Sequence, residues 1–226
     1  MRKFFSQLFL LFKIIIVILF IGGISYYIID KIQEKNNLMD IEEYSPKSTL
    51  VIKQTPVKRA KYSFVDVHNH QFDMPIKDLN KLVTEMDSLN MGFMINLSGY
   101  RGLYLKKSLE NIQENAPKRF GLFLNIDFET IDDIDFTSTQ IALIDSAAAA
   151  GVMGLKVYKS LGLTDLDSDG NRIAVNDSRL DAIWNACGEN GIPVLIHSGE
   201  PASFWNPKDK FNERWLDLRQ KPSRYR

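Results

Sequence analysis

Beyond about residue 61 the chain settles into short apolar runs separated by longer stretches in which apolar residues recur every three or four positions. The first run, Tyr62, Ser63, Phe64, Val65, Asp66 and Val67, alternates with period two and reads as a strand. Leu79, Leu82, Val83, Met86 and Leu89 then fall at helical spacing and predict a helix over residues 76–90. Continuing the pattern gives strands at 92–97, 120–126, 153–158 and 192–196, and helices at 103–114, 138–150 and 178–190. Gly151 and Gly191 follow two of these helices, where a residue free of a Cβ ends a helix at least cost. The tail beyond the fifth strand reads as helical over 206–219.

Strand and helix alternate throughout, and the strands are too apolar for a sheet with one wet face, so the expected class is α/β with a parallel sheet covered by helices. A closed barrel and an open doubly wound sheet both satisfy that pattern. Polar chemistry at the ends of the first and the fifth strand fits the barrel better, because there the strand ends converge on one mouth. Residues 61–226 are fewer than the roughly 250 that a complete barrel takes. The expectation is therefore an incomplete (β/α)8 TIM-type barrel of about five β/α units.

All three histidines of the chain lie at strand ends. His68 and His70 close the first strand, two positions apart and so on one side of it, and His197 closes the fifth. Imidazole is the commonest nitrogen ligand for zinc and its neighbours, and three imidazoles so placed predict a divalent metal site. Asp66, one strand step before His68, either orients a ligand imidazole or caps the loop. Lys156 sits inside the fourth strand between apolar residues, where an unpaired ammonium is costly. Lys159, nearer the strand's end, is a candidate for binding a substrate anion, and Glu200 in the turn after His197 is a second substrate-contact candidate.

Composition narrows the class. With 28 Lys+Arg against 28 Asp+Glu the chain has no basic stripe, so nucleic acid is not an expected partner. The single cysteine, Cys187, excludes an internal disulfide and a cysteine-rich zinc site, and its neighbours Ile183, Trp184 and Ala186 mark it as a small buried hydrophobe. Asp165, Asp167, Asp169 and Gly170 imitate the start of a calcium loop, but Asn176 stands where the bidentate Glu belongs, so a solvated loop is expected.

The first thirty residues differ in kind. From 4 to 29 they are almost wholly apolar, long enough to cross a bilayer, which needs about 20 apolar residues. The segment reads as a signal-anchor helix, with a cleaved signal peptide as the rival, and either places the following domain outside the cytoplasm. The expected organisation is thus an anchor over 1–30, a linker over 31–60 that carries Pro46 and Pro56, and the barrel portion over 61–226.

Three blocks in order, 64–70 ending in His68-Asn69-His70, 154–163 with Lys156, and 193–197 ending in His197, resemble the amidohydrolase superfamily, in particular its amidohydrolase-related branch. The resemblance covers residues 62–226. It implies a distorted barrel that binds one or two divalent metals, zinc foremost, and hydrolyses or decarboxylates a small molecule. His68 and His70 match the ligands of the family's first strand and His197 that of its fifth. In some relatives the lysine of strand four is carbamylated and bridges two metals. For Lys156 that role stands beside an ordinary ion pair, with Lys159 as the alternative lysine.

The family's pattern continues with a further histidine after strand six and a catalytic aspartate after strand eight. No histidine follows His197, and Asp209 and Asp217 fall in the predicted tail helix. The expected function is that of a metal-dependent hydrolase acting on an amide, other C–N, ester or lactone bond through metal-activated water, with the strand-eight aspartate absent from this chain and the chain expected to be a C-terminally truncated form, inactive or incomplete on its own. A non-catalytic binding fragment or degenerate relative, and a metal phosphoesterase of similar barrel type, are the alternatives.

Overall fold

A computed structural model describes residues 12–13, 15–28, 39, 42–47, 52–53 and 55–226. The chain divides into two compact units, one of residues 54–199 and the other of residues 1–53 with 200–226. In the larger unit the strands are β1 (Phe64–Asn69), β2 (Met91–Asn96), β3 (Phe120–Leu124), β4 (Gly154–Val157) and β5 (Val194–Ile196). Between them run α1 (Leu79–Leu89), α2 (Gly102–Asn115), α3 (Phe136–Ala149) and α4 (Asp181–Glu189).

Local chemistry sets the boundaries. Asp78 caps α1 by accepting from the Lys81 N–H at 3.1 Å, one of the donors a helix start leaves without a partner. Asn90 ends that helix in the left-handed conformation at φ 65°, a region asparagine tolerates better than most residues. β5 is shorter than its apolar run because Pro193 has no N–H, although its carbonyl still accepts from Leu155 N at 2.9 Å.

All four strand pairings are parallel, and the spatial order is β1-β2-β3-β4-β5. That order decides between the two architectures. A doubly wound sheet reverses its strand order at a switch point, whereas a barrel adds each strand beside the last. Five consecutive parallel strands without a reversal form a half-barrel, consistent with an incomplete barrel.

Alternate residues of the inner strands pack under the helices. Leu122 and Leu124 of β3 and Leu155 and Val157 of β4 are buried in one cluster with Met86 of α1, Ile112 of α2, Ile144 of α3 and Ile183 of α4. Each such side chain contributes about 1.5–3 kcal/mol relative to exposure. Cys187 lies in the same cluster, and burial pushes its thiol up to about 11, as befits a packing residue. Phe123 points to the opposite face, and its ring fills the space beside Gly154, where a Cβ would stand 2.4 Å from it.

In the smaller unit, α5 (Trp215–Gln220) buries Trp215 and Leu218, and Tyr44 donates to the Glu213 carbonyl at 3.1 Å. The helix expected over 206–219 is reduced to this short element. Asn212 explains the difference, since its side-chain amide donates to the Ser203 and Pro207 carbonyls, both at 2.9 Å, and ties residues 203–212 into a turn. Residues 15–28 are helical, and among the described residues no helix is long and apolar enough to cross a membrane. The expected anchor over 4–29 and the linker over 31–60 lie partly outside the described residues.

Candidate functional site

Polar residues follow apolar strands at every C-terminal end of the half-barrel. His68 and Asn69 end β1 and His70 follows it; Ser98 follows β2, Asn125 follows β3, Tyr158 follows β4 and His197 follows β5. This is the end of a parallel barrel on which binding residues gather.

β1 reaches that end through an irregularity. Asp66 pairs with Met94 and Asn69 with Asn96, so three steps along β1 match two along β2. Such a bulge re-aims the residues that follow it. Asp66 holds it in place: its Oδ1 accepts from the His68 N–H at 3.0 Å and its Oδ2 from the Asn69 amide at 2.8 Å. Of the two roles expected for Asp66, the structure shows the loop cap. Beyond it, Asn96 accepts from Gln71 N at 3.0 Å and donates to the Gln71 carbonyl at 3.1 Å, which pins the turn after His70.

The His68 and His70 rings meet edge to face with centroids 5.3 Å apart. His70 is half-buried and lies nearly parallel to Phe72 and Tyr158, at 5.6 and 6.2 Å. Its Nδ1 is 2.8 Å from Ser98 Oγ, which in turn is 3.2 Å from the Tyr158 hydroxyl. Burial holds the His70 pKa below its ordinary 6.5, and the charges of His68, Lys156 and His197 push it the same way. All three sequence-predicted histidines and Lys156 therefore share one electrostatic neighbourhood.

Lys156 is only 1% exposed, and its Nζ has no hydrogen-bond partner. Among the described residues no ion pair to Lys156 is seen, and its Nζ stands 5.8 Å from the centre of the Tyr158 ring. Burial lowers the lysine's pKa, because no counter-charge offsets the loss of water. The backbone carbonyl of the same residue accepts from Asn125 Nδ2 at 3.1 Å, which locks the strand ends of β3 and β4 together. Gly99 allows a similar approach on the other side of β3, where a Cβ would stand 2.2 Å from the Phe123 carbonyl oxygen.

Beside Lys156 opens a polar cleft of about 110 Å³, lined also by Asp127, Tyr158, Ser160 and Asp165. Burial raises the Asp165 pKa, against a hydrogen bond from Ser160. The acids that imitate a calcium loop are thereby separated. Asp165 faces this cleft, while Asp167 accepts from Asn171 N at 2.8 Å and lies 3.5 Å from Arg179 Nη2. Arg179 also holds Asp177 and Asp132, at 2.6 and 2.5 Å, so the loop is clamped by an arginine.

Lys159 is half-buried two residues past β4. Glu200 belongs to the other unit, where its carboxylate stands 3.6 Å from Arg226 Nη2. A larger groove of about 590 Å³ between α2 and α3, walled by Leu105, Leu109, Leu143 and Ala147, is remote from this chemistry.

Sequence reasoning missed Ser98, Asn125 and Tyr158. Their signal was present, since each is a polar residue just past an apolar strand.

Among the described residues no three His, Cys, Asp or Glu side chains stand close enough to cage a metal ion as placed. What the strand ends bring together is the His68–His70 ring pair and, at β4, a buried lysine whose Nζ stands 5.8 Å from the centre of the Tyr158 ring. Compared with family models, with curated proteins and with solved structures, the chain finds no match.

Proposed function

We propose that the half-barrel carries the first part of the metal centre of an amidohydrolase-type hydrolase. The observation that carries this reading is Lys156 Nζ, buried without a hydrogen-bond partner among the described residues, 5.8 Å from the Tyr158 ring and near enough to His70 to lower its pKa. A protonated lysine there would repel a metal ion. Burial lowers the pKa of Lys156 and so favours its neutral amine, the form that adds to carbon dioxide with loss of one proton to give a carbamate. That product is anionic, neutralises the cluster and offers two oxygens to divalent ions. The residues present fit the group in the chemistry of their donors: the imidazoles of His68, His70 and His197 would supply nitrogen, and a carbamylated Lys156 would supply negative charge.

The chemistry such an ion, zinc foremost, supplies is Lewis acidity and a water made acidic near neutral pH. The protein's own part is positional. Asp66 fixes the bulge that presents the histidine pair, and Asn125 ties β3 to β4 beneath the site. The cleft beside Lys156 admits a small polar group, with Asp165 placed to accept a hydrogen bond from a substrate N–H or O–H. Lys159 stands as a candidate for an outer contact with the substrate. The substrate class is a small molecule with an amide, other C–N, ester or lactone bond. The apolar segment over 4–29 would tether the half-barrel to a membrane, outside the cytoplasm.

Metal content tests the reading. The purified chain, equilibrated with zinc, manganese or iron and then desalted, is expected to retain stoichiometric metal, more of it when bicarbonate is present. Lys156→Ala abolishes the bicarbonate effect. Absence of stoichiometric metal under all of these conditions would overturn the proposal.

A further inference from the structure

Ser98 is closed off from solvent at the end of β2, yet it carries a hydroxyl. Such a group costs stability unless it is fully paired. Its Oγ lies 2.8 Å from His70 Nδ1 and 3.2 Å from the Tyr158 oxygen, and the Tyr158 oxygen lies 3.4 Å from the Leu97 carbonyl. A carbonyl oxygen can only accept. With the Tyr158 hydroxyl donating to Leu97, the tyrosine oxygen is left to accept, the Ser98 hydroxyl donates to it, and Ser98 Oγ in turn accepts from His70. The order of donors along the chain thereby runs from the imidazole to the backbone.

We propose that Ser98 and Tyr158 are positioning residues that hold His70 as its Nδ1–H tautomer and leave Nε2 as the nitrogen with the free lone pair. Which ring nitrogen is available is set by the hydrogen bond the other one makes. The near-parallel rings of Phe72 and Tyr158 fix the plane of the imidazole, and Ser98 fixes its rotation within that plane. The tautomer stands on this geometry alone. Its use, presenting Nε2 to a divalent ion, rests on the function proposed above.

With only three histidines in the chain, long-range 1H–15N NMR of the metal-free protein at pH 7.5 resolves each imidazole, and His70→Gln assigns the signal in question. The wild type is expected to show Nδ1 protonated and Nε2 bare. In Ser98→Ala the signal moves toward Nε2–H, the form free imidazole side chains prefer in water, while Ser98→Thr, which keeps the hydroxyl, retains the wild-type pattern. Tyr158→Phe gives a mixture, because the freed serine hydroxyl can then donate to Nδ1. An Nε2–H tautomer in the wild type, or an unchanged tautomer in a folded Ser98→Ala protein, overturns the proposal. A zinc titration separates the two readings: Ser98→Ala should weaken zinc binding by about 10–100-fold, the usual effect of an outer-shell partner. No zinc binding by the wild type would reject the metal site and leave the tautomer result standing.

Discussion

Strands β2, β3 and β4 are flanked on both sides, whereas β1 and β5 each have a single neighbour, and both burial and chemistry follow that difference. All five residues of β3 and all four of β4 are buried. In β1, by contrast, Val65 and Val67 are 52% and 57% exposed, and Ile196 of β5 is 40% exposed. The inner strands carry the groups whose geometry is fixed on all sides, namely Ser98, Asn125, Lys156 and Tyr158. Both edge strands carry histidines, and His68 lies open to solvent at the end of β1. One half of the candidate site is thus preorganised by a packed core, while the other half sits on strands with an unpaired edge, where backbone groups and apolar side chains invite a neighbour.

The contrast breaks most visibly in the core. Leu155→Ala in β4, at a position with no exposure, should cost about 2–5 kcal/mol. The shift of the urea midpoint measures it, and a loss below about 1 kcal/mol would show that the inner strands are not the packed half.

Next in size is an effect of opposite sign. Lys156→Met removes a buried amine that has no hydrogen-bond partner among the described residues and keeps the volume, so it should stabilise the protein by about 1–3 kcal/mol net of the contact with the Tyr158 ring. The same substitution ends any bicarbonate-dependent metal binding. Loss of stability instead would mean that the amine is paired in solution.

A smaller effect follows from pH. Folding holds the His70 pKa below 6.5, so the unfolded chain takes up a proton first as pH falls. The stability His70 contributes is therefore complete above about pH 6.5 and is lost as pH drops through the lowered folded value. Urea midpoints at pH 5 and pH 7.5 should differ less in His70→Gln than in the wild type. Smallest of all is the edge: Val67→Thr in β1 should change stability by no more than about 0.5 kcal/mol, because that side chain is already in water.

Much of the fold was legible because helical and strand periods are local properties. Leu79, Leu82, Val83, Met86 and Leu89 announced α1, and the five apolar runs all became strands. The histidines were legible as strand ends for the same reason. Parity along β1 was not, because a bulge depends on how two strands pair and no period within one strand records it. The tail helix failed for a related reason: Asn212 bonds to carbonyls five to nine residues away, which a helical pattern cannot show. Ser98 and Tyr158 are 60 residues apart, and only the sheet order brings them to the same imidazole.

The proposed hydrolase chemistry requires that the strand-end histidines of the half-barrel bind a divalent metal. X-ray absorption on the zinc-loaded chain tests it most directly. Two or more imidazole nitrogens per zinc are expected at about 2.0–2.1 Å, with the imidazole signal reduced in His70→Ala. A spectrum with oxygen ligands alone, or one that His70→Ala leaves unchanged, would contradict it.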